Sequence, residues 1–323
     1  MKTVVTGGAG FIGSHLVKRL VEQGREVVVA DDFSRGKAQN LLDLGIRLDP
    51  HPIDLRDYQQ ALESLDGAES VFHLAARVGS VEFLHGSDMA ELLALQANLT
   101  IDANVLKACL ETGVKTLVYA SSVSVYPIDT QQRYDVLFTE DDVRYINPEG
   151  GYGWAKLLGE IQVQWMRGLN RGIARIFNIY GENEEPDENA HVVPALMRKG
   201  ILYPQEEFLV WGDGNQTRDL LYVADAVEAL LTLEGKTSSP PVVVNIGSGE
   251  ALPVRALANK IVEISGKAIE PSYDPTKPVG PLSRTAAISR AKALLGWEPE
   301  VSLDEGLSRT YRWVAARMGV RRC

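Results

Sequence analysis

Short apolar runs alternate along the chain with longer segments whose apolar positions recur every three or four residues. Thr3-Val4-Val5 reads as a buried strand, and Phe11 to Glu22 then places Phe11, Ile12, Leu16, Leu20 and Val21 on a helical period. Glu26–Ala30, Ser70–Leu74, Thr116–Ala120 and Gly172–Ile176 repeat the strand pattern. Helical patterns near Gln59–Leu65, Met89–Glu111 and Tyr152–Leu169 separate most of them. Strands alternating with helices predict an α/β fold, a doubly wound parallel sheet covered on both faces.

After about Tyr180 the texture changes. Gly181 to Asn189 is polar and acidic, a loop. Asp225–Leu233 reads as a helix, Val242–Ile246 as another strand, and Ala251–Ser265 and Ser289–Leu295 as helices. The expected division is a first domain over residues 1–179, rejoined by about 223–246, and a smaller α/β C-terminal lobe from 180–222 and 247–323.

Composition narrows the classes. Of 323 residues 45% are apolar and 24% charged, as in a soluble globular protein. The net charge of −10 argues against general affinity for nucleic acid or anionic membranes. An anionic ligand would need locally placed Arg, Lys or helix N-termini. The two cysteines, Cys109 and Cys323, form no disulfide framework and have no metal-ligand spacing. No apolar run approaches the ~18 residues of a membrane span. The N-terminal strand runs straight into a glycine loop, unlike a signal peptide, so a cytoplasmic location is expected.

That loop, Thr6-Gly7-Gly8-Ala9-Gly10-Phe11-Ile12-Gly13, lies between a strand and a helix. Gly7, Gly10 and Gly13 allow a tight turn and close approach to a pyrophosphate, which the helix N-terminus attracts. Asp31 ends the next strand 18 positions after Gly13 and is placed to accept hydrogen bonds from an adenosine ribose. This is a Rossmann-type arrangement, and the acid favours NAD over NADP, although Arg35 is suited to a 2′-phosphate. Asp54-Leu55 is positioned for the adenine edge, and Leu74, Ala75 and Ala76 leave room for the cofactor at a strand end. His73 reads as a packing or loop-orienting residue, since no other ligand type joins it at metal spacing. Farther on, Lys156 follows Tyr152 by four residues, so on a helix the two share a face. An ammonium beside a phenol favours the phenolate, as a general base requires.

Taken together, TGGAGFIG, the HLAA strand end, Ser121 to Pro127 and YGWAK resemble the extended short-chain dehydrogenase/reductase family. Within it they are similar to the NAD-dependent nucleotide-sugar epimerases and dehydratases. The resemblance implies a trio: Ser122 on the sugar hydroxyl, Tyr152 as base, and Lys156 on the nicotinamide ribose. It further implies cofactor contacts from Asp32, Ser34, Asn98 and Ile179 as well as from Phe11 and Ile12. The implied reaction oxidises a C4 hydroxyl, with hydride passing to tightly bound NAD, and gives a 4-keto sugar. Related 4,6-dehydratases carry Asp-Glu after the serine, and related decarboxylases carry Glu two positions on. Val123 and Ser124 stand here instead, so inversion at C4 is the expected outcome.

Other stretches, including Gln216-Thr217-Arg218 and Val210 to Gly214, look like GDP-mannose 3,5-epimerase, and Asn189 to Leu196 looks like GDP-fucose synthase. Those relatives use a Cys at the position of Ser124 with a Lys or His near that of His191. A 3,5-epimerase-like or 4-keto-sugar reductase activity through Ser124 and His191 is therefore the alternative, and a non-catalytic dinucleotide sensor a third reading. For the diphosphate of a nucleotide sugar, Arg218 and Arg284 are the expected cations, Asn178 the amide, with Ser80 and Val192 also implied. The stripes of Met89–Glu111 and Tyr152–Leu169 resemble the helices through which family members form a homodimer as a four-helix bundle.

Overall fold

The computed structural model describes residues 1–42, 52–79, 84, 86–144, 146–187 and 190–320. Its centre is a six-stranded, all-parallel sheet. The strands are β1 (Lys2–Thr6), β2 (Glu26–Ala30), β3 (Ser70–His73), β4 (Thr116–Ser122) and β5 (Asn170–Ile176), with a late strand, Val242–Ile246, at the edge beside β5. In space β2 lies outside β1, while β3, β4 and β5 extend in the other direction. The strand order therefore reverses beside β1, and open sheets of this kind bind ligands in the crevice at that point, outside the carboxyl ends of β1 and β3.

Successive side chains of each strand face opposite sides of the sheet. Val5, Phe72, Val118 and Ala174 enter one apolar cluster, while Val4, Val71, Leu117 and Ile173 enter the other. Helix α1 (Phe11–Glu22) packs on the first face through Leu16, Val17 and Leu20. The second face is covered by α2 (Tyr58–Ser64), α3 (Asp88–Glu111) and α4 (Gly150–Trp165), with Ala61, Val105, Leu106 and Val163 at the contact. Ser87 caps α3 by accepting from the amide of Ala90, and Asp88 and Glu91 suit its first turn.

Beyond β5 the elements are short strands and amphipathic helices. They are β6 (Asn178–Tyr180), α5 (Val192–Leu202), β7 (Leu209–Trp211), β8 (Thr217–Arg218), β9 (Leu220–Tyr222), α6 (Val223–Glu234), β10, which is the Val242–Ile246 edge strand, β11 (Leu252–Pro253), α7 (Val254–Ser265), β12 (Ser272–Asp274), α8 (Ser289–Leu295) and α9 (Leu303–Arg317). Paired ribbons β6–β9, β8–β11 and β7–β12 hold these segments together. Helix α6 covers the first sheet face beside α1, and the same apolar cluster continues into α5, α7 and α9. The helix expected to reach Leu169 stops at Trp165, because Met166 turns to ψ 150 and Gly168 takes φ 86 before β5 begins. No helix among the described residues is long and apolar enough to cross a membrane.

Candidate active site

The turn after β1 leaves no space for side chains. Gly7 has φ 68, and a Cβ there would stand 2.9 Å from the Ala75 amide nitrogen. At Gly13 a Cβ would run into the carbonyl of Gly7, so α1 starts directly against the loop. Gly10 caps that helix without a side-chain acceptor, and half-buried Phe11 and Ile12 fix its first turn in the core. Asp31 links the loop to the end of β2: its Oδ2 accepts from the Ala9 amide at 2.9 Å and its Oδ1 from the Phe33 amide at 2.8 Å. Burial raises the Asp31 pKa, against the pull of those N–H donors. The Gly10 amide also bonds this carboxylate, which keeps a lone pair for a ligand.

Around this crevice the other expected cofactor residues take distinct places. Asp32 accepts from the amide and hydroxyl of Ser34 at 2.9 and 2.6 Å. Arg35 lies 3.9 Å from Asp187, so its charge faces the acidic loop after β6. Asp54 holds Arg56 through two 2.8 Å bonds, and Leu55 is buried in the second core cluster, so its side chain packs inward. Half-buried Leu74, Ala75 and Ala76 follow β3. Asn98 fastens that segment: its Oδ1 accepts from the Arg77 amide at 2.7 Å and its Nδ2 donates to the Arg77 carbonyl at 3.1 Å. Ile179 sits in the core.

At the carboxyl end of β4, Ser122 Oγ accepts from the Ser124 amide at 3.2 Å and lies near enough to the Tyr152 phenol to favour its ionised form. Tyr152 and Lys156 share the buried side of α4. The phenol pKa lies well above its ordinary 10, driven by burial and only partly offset by Ser122. The lowering expected from Lys156 is not found in the chain itself: burial dominates, and the opposing pulls come from Ser122 and Arg284. Lys156 Nζ lies 4.8 Å from the centroid of the Tyr119 ring. Burial lowers its own pKa, against the attraction of Asp102 and Glu160.

Two buried polar atoms here have no hydrogen-bond partner, Lys156 Nζ and Asn178 Oδ1. A donor held in a dry site without an acceptor is costly unless a ligand supplies one. The glycine cradle, the Asp31 carboxylate and the bare ammonium fit the pyrophosphate and two riboses of NAD.

The sequence reading missed one carboxylate. Glu149, just before α4, accepts from Ser124 Oγ at 2.9 Å, and its amide donates to the Ser124 carbonyl at 2.8 Å. Arg284 pairs with the same carboxylate and donates to Gln131 at 2.8 Å. The charges of Glu149 and Arg284 both act on Tyr152. An acid three residues before a candidate base, ahead of Gly150-Gly151, was the available signal. Arg218 is buried and donates to the carbonyls of Thr217, Pro281 and Val279, at 2.7, 2.8 and 2.7 Å, so here it shapes the segment leading to Arg284. Burial, helped by the charge of Arg284, pulls its pKa down to about 9.

His191 caps α5 and contacts Glu184 at 2.5 Å, and Val192 begins that helix. The partners of His191 are Glu184, the Gly79 backbone and the charge of Arg35, none of them in the Ser122–Tyr152 cluster. Ser80 lies outside the described residues.

Residues 3–247 match the NAD dependent epimerase/dehydratase family, which is most of the chain. The chain belongs to that family. It is an NAD-dependent enzyme of the sugar-nucleotide epimerase class, with NAD as its cofactor. It is 30% identical to a UDP-N-acetyl-alpha-D-glucosaminuronate decarboxylase of Bacillus cytotoxicus, over 97% of each chain. It is also 30% identical to the GDP-mannose 3,5-epimerase of Arabidopsis thaliana, over 97% of this chain and 82% of that protein. The structure of a UDP-glucose 4-epimerase with UDP-glucose from Thermotoga maritima matches at a TM-score of 0.85 and 31% identity, covering 98% of this chain and 100% of that one.

Proposed function

We propose that the chain inverts C4 of a nucleotide-diphosphate sugar through a transient 4-keto intermediate. The observation that carries this reading is the shared buried side of α4, where Tyr152 stands one turn from Lys156, whose ammonium has no partner, with Ser122 acting on the phenol from the end of β4. NAD, when bound, supplies the acceptor for the C4 hydride and its return. Ser122 holds the C4 oxygen, and Tyr152 Oη, as the phenolate that the positive charge of bound oxidised nicotinamide would favour, takes the hydroxyl proton and gives it back after the ketone has turned its other face. Lys156 grips the nicotinamide ribose, and Asp31 the adenosine ribose. Arg284 and Asn178 face the diphosphate, with Arg218 holding the 279–281 backbone beneath it.

In this reading residues 1–179 with about 223–246 carry the cofactor, and 180–222 with 247–323 carry the sugar nucleotide. Exposed Met89, Leu92 and Leu93 on α3 and Trp154, Leu158 and Trp165 on α4 supply the surface of a cytoplasmic homodimer. The test is turnover of UDP- and GDP-hexoses by Tyr152→Phe. Loss of about 10²–10⁴-fold in kcat, with NAD binding kept, is expected. Full turnover by that variant would remove the proposed base.

A second reading rests on Glu149. A 4-ketone makes the protons at C3 and C5 acidic, and this carboxylate, beside Ser124, provides a base for them. Inversion beside the ketone, or elimination in which Glu149 takes the C5 proton and the C6 hydroxyl leaves as water with a proton returned to it, then becomes accessible without an acid at positions 123 or 124. The same role for the pair Ser124 and His191 has less support, since His191 contacts Glu184.

A further inference from the structure

A buried polar chain leads from the cofactor loop to the candidate catalytic lysine. Thr6, His73, Asp102 and Tyr119 are all 0% exposed. Thr6 Oγ1 lies 2.7 Å from His73 Nδ1, and His73 Nε2 lies 3.1 Å from Asp102 Oδ1. The Tyr119 hydroxyl donates to Asp102 Oδ2 at 2.6 Å, and its ring carries Lys156 Nζ at 4.8 Å.

Proton counting fixes the direction of this chain. Thr6 Oγ1 already accepts from the amides of Leu74 and Ala75, at 3.1 and 3.2 Å. Both lone pairs are used, so its one proton goes to His73 Nδ1. The ring is then neutral with hydrogen on Nε2, which donates to Asp102. Burial lowers the His73 pKa, in keeping with a neutral ring. Asp102 receives one donor on each oxygen. Burial opposes its charge, but Lys156, His73 and Tyr119 together bring its pKa below the ordinary carboxylate value. Gly159, on α4, makes this contact possible: a Cβ there would collide with the Tyr119 hydroxyl and stand 2.5 Å from Asp102 Oδ2.

Among the described residues, the charged and titratable groups acting on Lys156 come from four elements. They are Asp102 on α3, His73 on β3, the Tyr119 ring on β4, and Glu160 on its own helix. Glu160 is already committed to Arg175, at 2.9 and 2.7 Å, and to the Ser121 hydroxyl at 2.5 Å. Asp102 is the carboxylate with no arginine or lysine bonded to it.

We propose that Asp102 is a positioning residue of this enzyme, the buried countercharge that keeps Lys156 cationic, held in place by the proton-ordered chain Thr6–His73–Asp102 and by Tyr119. The proposal rests on the Tyr152–Lys156 reading above. Thr6 directly precedes Gly7, so the chain also ties the lysine to the cofactor cradle.

The test is an NMR titration of ε-¹³C-lysine in the full-length, NAD-free chain, with the Lys156 signal assigned by its loss in Lys156→Met. Asp102→Asn should lower the Lys156 midpoint by about one pH unit or more. The high-pH limb of kcat should move down with it. An unchanged midpoint would overturn the proposal. Where Asp102→Asn alone does not fold, the double variant with Lys156→Met should fold again, because the uncompensated charge has gone. A double variant as unstable as the single would equally overturn it. Failure of the Tyr152 reading is distinguishable: Tyr152→Phe would then keep its turnover, whatever the Lys156 midpoint does.

Discussion

Ser124 Oγ donates to Glu149 Oε2 at 2.9 Å, joining the turn after β4 to the start of α4. A carboxylate therefore stands where the sequence offers only Val123 and Ser124 after the serine. Glu149→Gln keeps the shape and removes the base. Any exchange of solvent hydrogen into C3 or C5 of the sugar should fall by about 10²-fold or more, and inversion at C4 should slow far less. Isotope incorporation measured by mass and NMR checks this. Equal loss of both would make Glu149 part of the C4 step itself.

The cradle depends on Gly7. With φ 68 and the Ala75 backbone 2.9 Å from a Cβ, alanine is disfavoured twice, by conformation and by space. Gly7→Ala should weaken NAD binding about tenfold or more, which is about 1.4 kcal/mol. Titration calorimetry with NAD on the NAD-free chain reads this directly.

Glu160 and Arg175 form a bidentate pair with both side chains almost fully buried. Removing one partner strands the other charge. Glu160→Gln should cost about 3–5 kcal/mol of folding stability, measured by urea denaturation. A loss below about 1 kcal/mol would mean that the pair is solvated in solution.

Burial depresses the pKa of His15 and His73 below the ordinary 6.5. On acidification the unfolded chain then takes up protons before the folded one, so stability falls as pH drops below about 6.5. His191 has the opposite sign. Desolvation opposes its charge, the Glu184 bond outweighs that, and its pKa is raised, so its contribution is present below 6.5 and lost as pH rises through the folded value. Thermal melts from pH 7 to 5 should show declining Tm, with a shallower slope in His73→Asn. A slope unchanged by that substitution would show His73 charged in the folded state.

The sheet was legible because its strands are short apolar runs separated by helical periods, as at Val4-Val5 and Val71-Phe72. Crevice residues were legible where backbone geometry demands glycine, at Gly7 and Gly13, or where spacing aligns side chains, at Tyr152 and Lys156. Helices α5 and α9 went unread. Pro194 sits in the first turn of α5, and α9 buries only a narrow stripe of Leu307, Thr310, Tyr311 and Val314 within a charged segment. Strands of two or three residues, such as β8 and β6, are too short for any period to show. Glu149 joins the site through contacts between segments that no local pattern encodes. Asp102 left a trace, since it follows Asn98 by four residues on the buried face of α3, where Ala94, Val105 and Cys109 also lie.

The proposed reaction is decided at C4. Incubation with UDP- and GDP-sugars plus NAD in heavy water, followed by NMR and mass, tests it most directly. The expected product is the C4 isomer with no deuterium on carbon, because the same hydrogen leaves and returns. Deuterium at C3 or C5 of an isomer inverted there would contradict C4 inversion as the reaction and make Glu149 the working base.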